Sequence, residues 1–252
     1  ISEKGEKELQ EAFDKLLWVR NELHFHTNRK ADQLSFDHQE RIARLLGFKD
    51  TASGLAVEAF MQRYYLHAAN LSHYSELMLS RHLHREEPRA VPPKKKVRLD
   101  ENFEISDGVL ALSDPEAVSK EPAVVMTAFE HYAAHPDSVL DQTLKDEIIR
   151  FYDAEKPEFM ASKEAAESFM RILGGGRAYN ALKEMHALKF LTRYIPEFSD
   201  ITCKVQHDMY HIYTVDTHTL FAVRELERLS DDLKGEFPVL ASIYEELEDP
   251  GI

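Results

Sequence analysis

The sequence contains little of what several protein classes require. A single cysteine among 252 residues, Cys203, excludes an internal disulfide framework and a thiolate metal cluster, and it fits a reducing compartment. No apolar run approaches the roughly 18 residues that span a bilayer, and the first segment lacks the apolar core of a signal peptide. With 31 basic residues against 45 acidic ones, the formal charge of −14 argues against a general nucleic-acid binder. We therefore expect a cytoplasmic protein that binds neither nucleic acid nor membranes.

Glycine is also scarce, at 9 residues, whereas hydrophobic residues make up 43% of the chain. Stretches rich in Leu, Ala, Glu and Lys favour helices, and apolar residues recur at helical spacings. The sequence predicts an all-α, multi-helix assembly with one small β-hairpin near 103–112, where Asp107-Gly108 is typical of a type I′ turn. The predicted helices are one from Leu9 onward, then 36–46, 55–82, 122–134, 138–153, 158–173, 178–189, 200–212, 215–231 and 237–247.

Three local signals mark the boundaries of these elements. Ser35 is placed to cap the second helix and Gly47 to end it. Prolines between Glu86 and Asn102 forbid a continuous helix, and the lysine run from Lys94 indicates a solvated linker rather than a nuclear-localisation patch. The run 174–176, three glycines, predicts a helix C-cap or a hinge, because no phosphate-loop pattern surrounds it.

A series of polar residues crosses the first two predicted helices and their connection: Arg20, His24, Arg29, Asp32 and Gln39. Arg20 and His24 are four residues apart and share a helix face. We expect Arg29 and Asp32 to pair in the connection, because an arginine buried without a carboxylate would be costly. These five residues, which we call the polar seam, indicate either contact with a ligand or neighbouring domain, or a structural network.

Two groups of motifs resemble a known family. R-x-x-L-H, then R-x-x-D-x-L-x-F-D-x-Q and VEAFMQRYY, resemble the helical domain that follows the nucleotidyltransferase domain of PII uridylyltransferase/uridylyl-removing enzymes. MHALKFLTRYIPEFSDI and VQHDMYHIYTVDTHTLFAV resemble the entrance to the HD-type phosphohydrolase domain of the same family. On this resemblance, the domains are 1–85, helical; 86–121, linker with hairpin; 122–195, helical connector; and 196–252, the start of an HD-type domain.

The resemblance implies a bifunctional sensor of nitrogen status. One domain of such an enzyme transfers uridylyl groups from UTP to the signalling protein PII, the HD domain removes them, and the whole enzyme uses Mg²⁺ or Mn²⁺. The chain shows no Gly-rich motif followed by D-x-D and no tandem His-Asp at the matching place. We therefore expect a central fragment, inactive alone and without bound cofactor, whose polar seam lines the nucleotide cleft or a domain interface. The alternative is a non-catalytic regulatory module that kept the helical scaffold.

Histidines near the C-terminus are candidate metal ligands. By resemblance, His218 in YTVDTHTL matches the family's first HD ligand, in a site that is incomplete here. His207 and His211 are i, i+4 in the predicted helix 200–212, and structural hydrogen bonding is favoured over a metal role for them. Asp216 is expected to cap the following helix. Cys203 is expected to be a half-buried core thiol, the alternative being a reactive thiol beside Lys204.

Overall fold

The structure is a computed structural model that describes residues 3–52, 54–86, 95–153, 159, 162–208, 210–231 and 235–246. It is mostly helical, with one small sheet, as the sequence predicts. No helix in the described part of the chain is long and apolar enough to cross a bilayer. The described residues form two compact units: Ile1–Glu87 with Glu197–His218, and Pro88–Pro196 with Thr219–Ile252. The four-domain division inferred above remains a prediction.

Most of the described helices match predicted ones with shifted ends, but three short helices, at 117–120, 190–194 and 198–201, were not predicted. The bounds of the described helices are α1 Glu3–Thr27, α2 Phe36–Leu45, α3 Ala56–Glu86, α4 Ala117–Lys120, α5 Val124–Ala134, α6 Gln142–Asp153, α7 Lys163–Gly174, α8 Ala178–Ala187, α9 Phe190–Tyr194, α10 Phe198–Ile201, α11 Val215–Asp231 and α12 Pro238–Glu245. The start of the predicted helix 158–173 falls partly outside the described residues, as does most of the proline-rich linker with Lys94.

In the first unit, α1 and α2 both pack against the 31-residue helix α3. The buried core between them consists of Val19, Ile42, Ala43, Val57, Phe60 and Met61. Val205, from the segment after α10, packs against this core. Two hydrogen bonds hold the same segment to α3, since Gln62 Nε2 donates to the Thr202 carbonyl at 3.0 Å and the His207 backbone N–H donates to Glu58 Oε1 at 3.1 Å. Residues near position 200 are thereby fixed against the N-terminal helices.

In the second unit, α5 is the central helix. Its buried residues include Val125, Met126 and Phe129, and α7 and α8 pack against it. The ring of Phe129 lies 5.2 Å from that of the buried Phe190 in α9. An apolar helix covered by neighbours is the usual arrangement of a helical core.

The predicted hairpin is part of a four-stranded sheet. β2 Phe103–Ser106 and β3 Val109–Leu112 pair antiparallel around Asp107 and Gly108, whose φ angles of 51° and 83° are both positive, as a type I′ turn requires. Two short strands that the sequence did not reveal complete the sheet, β1 Lys96–Arg98 and β4 Val139–Leu140. Sequences of two or three residues carry too little periodicity to identify a strand.

Of the three predicted helix boundaries, the two C-terminal ones marked by glycine are confirmed, and the N-terminal cap at Ser35 is wrong. Gly47, with φ 81°, follows the end of α2, and Gly175 caps α7 with Gly176 at φ 70° after it, so the glycine run is a helix C-cap. Ser35, however, does not cap α2 through its side chain. Its hydroxyl oxygen lies 2.8 Å from His38 Nδ1 instead.

The predicted helix 200–212 is wrong. Helix α10 ends at Ile201, and the described residues from there to Thr214 form turns, bends and irregular chain. Cys203 adopts a left-handed conformation at φ 55°, which a helix cannot continue through. Asp208 then accepts hydrogen bonds from the backbone N–H groups of Tyr210 and His211, at 2.8 and 2.9 Å. Short carboxylates that bind nearby N–H groups compete with helix formation in this way.

Candidate functional site

Two members of the polar seam lie on one face of α1 and reach the same carboxylate. Arg20 Nε donates to Asp32 Oδ1 at 2.7 Å, and its Nη2 donates to Oδ2 at 3.3 Å. His24 Nε2 lies 3.2 Å from Asp32 Oδ1, so the tautomer with its proton on Nε2 donates a further bond. The predicted common face of Arg20 and His24 is therefore present, and Asp32 is the residue that joins them.

The carboxylate of Asp32 is held in its charged form. Hydrogen bonds from Arg20 and then from His24 lower the pKa of Asp32, and the same contact raises the pKa of Arg20. The side chains of Arg20 and Asp32 are 56% and 63% exposed, whereas that of His24 is 26% exposed. An exposed ion pair contributes little to the free energy of folding. The contacts of Asp32 therefore fix the positions of the Arg20 and His24 side chains but add little to the stability of the helices.

The chain reverses direction between α1 and α2, which brings Asp32 back to Arg20. Asn28 takes a left-handed φ of 51° directly after α1. Thr27 Oγ1 donates to the carbonyls of Leu23 and Arg29, at 2.9 and 3.0 Å, which ties the last turn of the helix to the connection. Asparagine is one of the few side chains that favours this conformation.

The expected pair between Arg29 and Asp32 is wrong. Asp32 is occupied by Arg20 and His24, and the exposed guanidinium of Arg29 makes no ion pair within the described residues. Gln39 also lies apart from Asp32, because its Nε2 donates to the Leu34 carbonyl at 2.9 Å. The seam therefore consists of a bonded group, a structural glutamine and an arginine whose charge faces solvent.

The bonded group borders a groove of about 410 Å³ in the first unit. Arg20 and Asp32 line it together with apolar residues of α1 and α3, among them Leu16, Tyr64 and Leu71. Phe13 and Leu17, which also line it, are 50% and 39% exposed. Exposed apolar surface rimmed by polar groups is typical of binding or domain-contact surfaces.

His218 lies exposed in the first turn of α11. Two residues before it, Asp216 is 1% exposed and accepts hydrogen bonds from the backbone N–H groups of Cys203 and Thr217, at 3.0 and 2.9 Å. Asp216 thus binds backbone at the start of the helix, as expected, and also holds the loop that precedes it. The Val215 N–H adds a bond to the Lys204 carbonyl at 2.9 Å, so the start of α11 is fixed at two points.

The described residues do not form a metal site. No group of three or more His, Cys, Asp or Glu side chains among them is placed to bind one ion. His211 Nδ1 lies 2.6 Å from Asp208 Oδ2, and His207 Nε2 lies 3.6 Å from Glu40, so these histidines face different carboxylates. Because they stand on a loop rather than a helix, the common face predicted for His207 and His211 is wrong.

Cys203 is a protected thiol. Burial, followed by the nearby negative charge of Asp216, raises the pKa of Cys203 to about 12. The alternative of a reactive thiol with a pKa lowered by Lys204 is therefore wrong, and the half-buried thiol is confirmed.

Sequence reasoning missed Glu58, in the first turn of α3. Its Oε2 accepts the Leu55 N–H at 3.0 Å, and its Oε1 accepts the His207 N–H at 3.1 Å. An acidic residue in the first helical turn is a known signal for the local bond. Nothing in the local sequence predicts the second bond, which spans 149 positions.

Two protein-family models match the chain. One, described as GlnD PII-uridylyltransferase, matches residues 1–79, and the other, described as Uridylyltransferase GlnD third domain, matches residues 103–194. No solved structure matches the chain.

Curated proteins match nearly the whole chain. Proteins of Stutzerimonas stutzeri and Acinetobacter baylyi are each 33% identical over 98% of it, and one of Legionella pneumophila is 30% identical over all of it. Each bears the name bifunctional uridylyltransferase/uridylyl-removing enzyme. The chain spans 28% to 29% of the length of these relatives.

The helical architecture and the matches to two uridylyltransferase domain models identify the class of protein: the chain is a helical segment of a uridylyltransferase-type protein. The chain belongs to the family of bifunctional uridylyltransferase/uridylyl-removing enzymes and corresponds to a part of its members. The family resemblance seen in the motifs is thereby confirmed, whereas the start of an HD-type domain at 196–252 remains a prediction.

Proposed function

We propose that this chain forms the helical part of an enzyme that transfers uridylyl groups from UTP to a PII-type signalling protein and removes them again, in the cytoplasm. The observation that carries the proposal is the match over 98% of the chain to relatives bearing that bifunctional name. Mg²⁺ or Mn²⁺ would serve the whole enzyme, with most of its ligands outside the described residues. The acidic charge of −14 argues against a nucleic acid as the partner.

Within this proposal, the polar seam presents one positive charge outward. Arg20 is bound to Asp32, and that carboxylate also holds His24, so little of their charge is left for another partner. Arg29 is exposed and forms no ion pair with a described residue, and its carbonyl, near the start of the connection, accepts a hydrogen bond from Thr27 Oγ1. A guanidinium in this state is suited to a phosphate or carboxylate, which it binds through two parallel hydrogen bonds.

The role of Arg29 is therefore to contact an anion at the nucleotide cleft or at a domain interface. The groove beside Arg20 and Asp32 supplies apolar surface for the same contact. If the anion is a nucleotide phosphate, loss of Arg29 raises the KM for UTP. If it is a carboxylate of another domain, the loss lowers kcat and leaves the KM for UTP unchanged.

His218 is proposed as a metal ligand of the uridylyl-removing activity, on the motif resemblance. One imidazole does not hold a divalent ion, since such sites normally take three or more protein ligands. The described residues supply no others, so any further ligands belong to parts of the enzyme not described here. The contribution of the described residues is to fix the start of α11, through Asp216 and Val215, and with it the position of His218.

The test is Arg29→Ala in the full-length protein, assayed for uridylyl transfer to PII and for thermal unfolding. We expect transfer to fall by about tenfold, the value of one charge-assisted hydrogen bond, with an almost unchanged melting temperature. Lys4→Ala, which removes another exposed charge from the same unit, is the matched control and should leave both unchanged. Unchanged transfer by Arg29→Ala would remove the functional role of this arginine.

A further inference from the structure

A second pocket of about 360 Å³ lies in the first unit, between α1, α3 and the chain that follows α2. Seven apolar or aromatic residues line most of it: Leu16, Trp18, Val19, Leu46, Phe48, Phe60 and Tyr64. Its volume falls in the range of about 300 to 1,000 Å³ that is typical of small-molecule sites. It adjoins the groove of the polar seam, since Leu16, Val19 and Tyr64 line both.

The floor of this pocket belongs to the core, so its shape is present without a ligand. Val19 and Phe60 are 7% and 3% exposed, and Phe48 and Tyr64 pack against the same core. The rings of Phe48 and Tyr64 lie 6.0 and 6.2 Å from that of Phe60, a spacing typical of packed aromatic rings. Aromatic faces fixed in this way favour a flat, apolar guest.

The rim of the pocket is basic. Lys15, Arg63 and His67 line it, and neither Lys15 nor Arg63 forms an ion pair with any described residue. Burial lowers the pKa of His67, the nearby charges of Arg63 and Lys15 lower it further, and Glu11 opposes them. Asp14, also on the rim, accepts a hydrogen bond from Gln10. Two cations without an ion pair among the described residues therefore border an apolar cavity, an arrangement that favours an anionic ligand.

We propose that this pocket binds a small, planar aromatic anion. Its ring system lies against Trp18, Phe48 and Tyr64, and its carboxylate, phosphate or sulfonate contacts Arg63 and Lys15. Arginine binds such groups through two parallel hydrogen bonds. The proposal does not depend on the uridylyl-transfer function, because it uses none of the residues of the polar seam.

The test is a titration of the chain with 8-anilinonaphthalene-1-sulfonate, a planar aromatic sulfonate. Trp18 is the only tryptophan in the sequence, so energy transfer from it to the dye shows that the dye is bound near this pocket. We expect one saturable site with quenched Trp18 emission. Arg63→Gln and Lys15→Gln should each weaken binding by about tenfold, as expected for one charge-assisted contact.

Three controls separate the pocket from general dye binding. Lys183→Gln removes an exposed cation from the second unit and should leave the affinity unchanged. Leu46→Phe, at a residue 43% exposed, should weaken binding by filling the pocket while Lys15 and Arg63 both remain. The uncharged N-phenyl-1-naphthylamine should bind more weakly than the sulfonate. Absence of energy transfer, equal affinities in Arg63→Gln and Lys183→Gln, or equal binding of the uncharged amine would overturn the proposal.

Discussion

Arg20 donates two hydrogen bonds to Asp32, at 2.7 and 3.3 Å, across 12 positions of the chain. This contact joins the exposed face of α1 to the connection that leads to α2. It leaves Arg29, the other arginine near Asp32 in sequence, facing solvent. Because the turn at Asn28 brings Asp32 to Arg20, Arg20 is paired within the polar seam and Arg29 is not.

The first prediction concerns the titration of Asp32. Hydrogen bonds from Arg20 and His24 lower the pKa of this carboxyl. Its charged form therefore stabilises the fold at pH values above the ordinary pKa, and this contribution is lost as the pH falls through the lowered pKa. In Arg20→Gln the pKa of Asp32 should rise towards the ordinary value of about 3.9. NMR titration of the Asp32 carboxyl carbon measures both values. An identical midpoint in the parent and Arg20→Gln would contradict the assigned contact.

The second prediction concerns acid stability in the second unit. Asp100 accepts hydrogen bonds from the backbone N–H groups of Asn102 and Phe103, both at 2.8 Å, and lies 2.6 Å from His131 Nε2. Burial raises the pKa of Asp100, but the bonds from His131, Asn102 and Phe103 outweigh it, and the net pKa is lowered. Its charged form therefore stabilises the fold above the ordinary pKa, and this contribution is lost as the pH falls through the lowered value.

Asp100→Asn should reduce the free energy of unfolding at neutral pH by about 1 to 2 kcal/mol, since it weakens hydrogen bonds to a charged acceptor. The variant should also lose less stability than the parent between about pH 5 and pH 3. Urea unfolding over this pH range measures both effects. Asp137→Asn changes an exposed carboxylate of the same unit and should behave as the parent does.

The third prediction concerns the start of α11. Asp216 is buried and accepts hydrogen bonds from the N–H groups of Cys203 and Thr217, so Asp216→Ala removes the acceptor of two part-buried donors. The free energy of unfolding should fall by about 1 to 3 kcal/mol. Asp200→Asn, at an exposed carboxylate in α10, should cost much less. Equal urea midpoints for both variants would show that Asp216 does not hold the loop.

The fourth prediction concerns Cys203. Burial and the charge of Asp216 raise the pKa of this thiol to about 12, so the folded chain contains almost no thiolate at pH 8. Its neutral form stabilises the fold below the unfolded pKa of about 8.5, and that contribution is lost as the pH rises towards the folded value. Alkylation by iodoacetamide at pH 8 should be slow in buffer and fast in denaturant. Equal rates in the two conditions would contradict a buried thiol.

Several elements were predictable because their signals are local. Asp107-Gly108 predicted the type I′ turn, and Gly47 predicted the end of α2, since each position needs a positive φ. Arg20 and His24 were placed on one face by their spacing alone. The partner of Asp32 was not predictable in this way, because it depends on how the chain reverses after Asn28 rather than on distance in sequence.

The segment after α10 shows the opposite case. Its apolar spacing resembles that of a helix, but Cys203 is left-handed and Asp208 binds the N–H groups of Tyr210 and His211. The segment is also held by Glu58 and Gln62, which are distant in sequence. Tertiary contacts of this kind override local helix propensity. In this non-helical segment His207 and His211 do not share a face. A spacing of four residues between two histidines therefore does not by itself show that they bind the same metal ion.

The central claim is that the polar seam serves uridylyl transfer, and Asp32 is the residue that joins its bonded group. The most direct measurement is the initial rate of uridylyl transfer from UTP to PII by the full-length protein carrying Asp32→Asn, beside Asp37→Asn as a control with the same change at an exposed carboxylate. The account predicts a loss of rate in Asp32→Asn, an unchanged rate in Asp37→Asn and nearly equal melting temperatures, because the contacts of Asp32 are exposed. Equal rates in the two variants would contradict it.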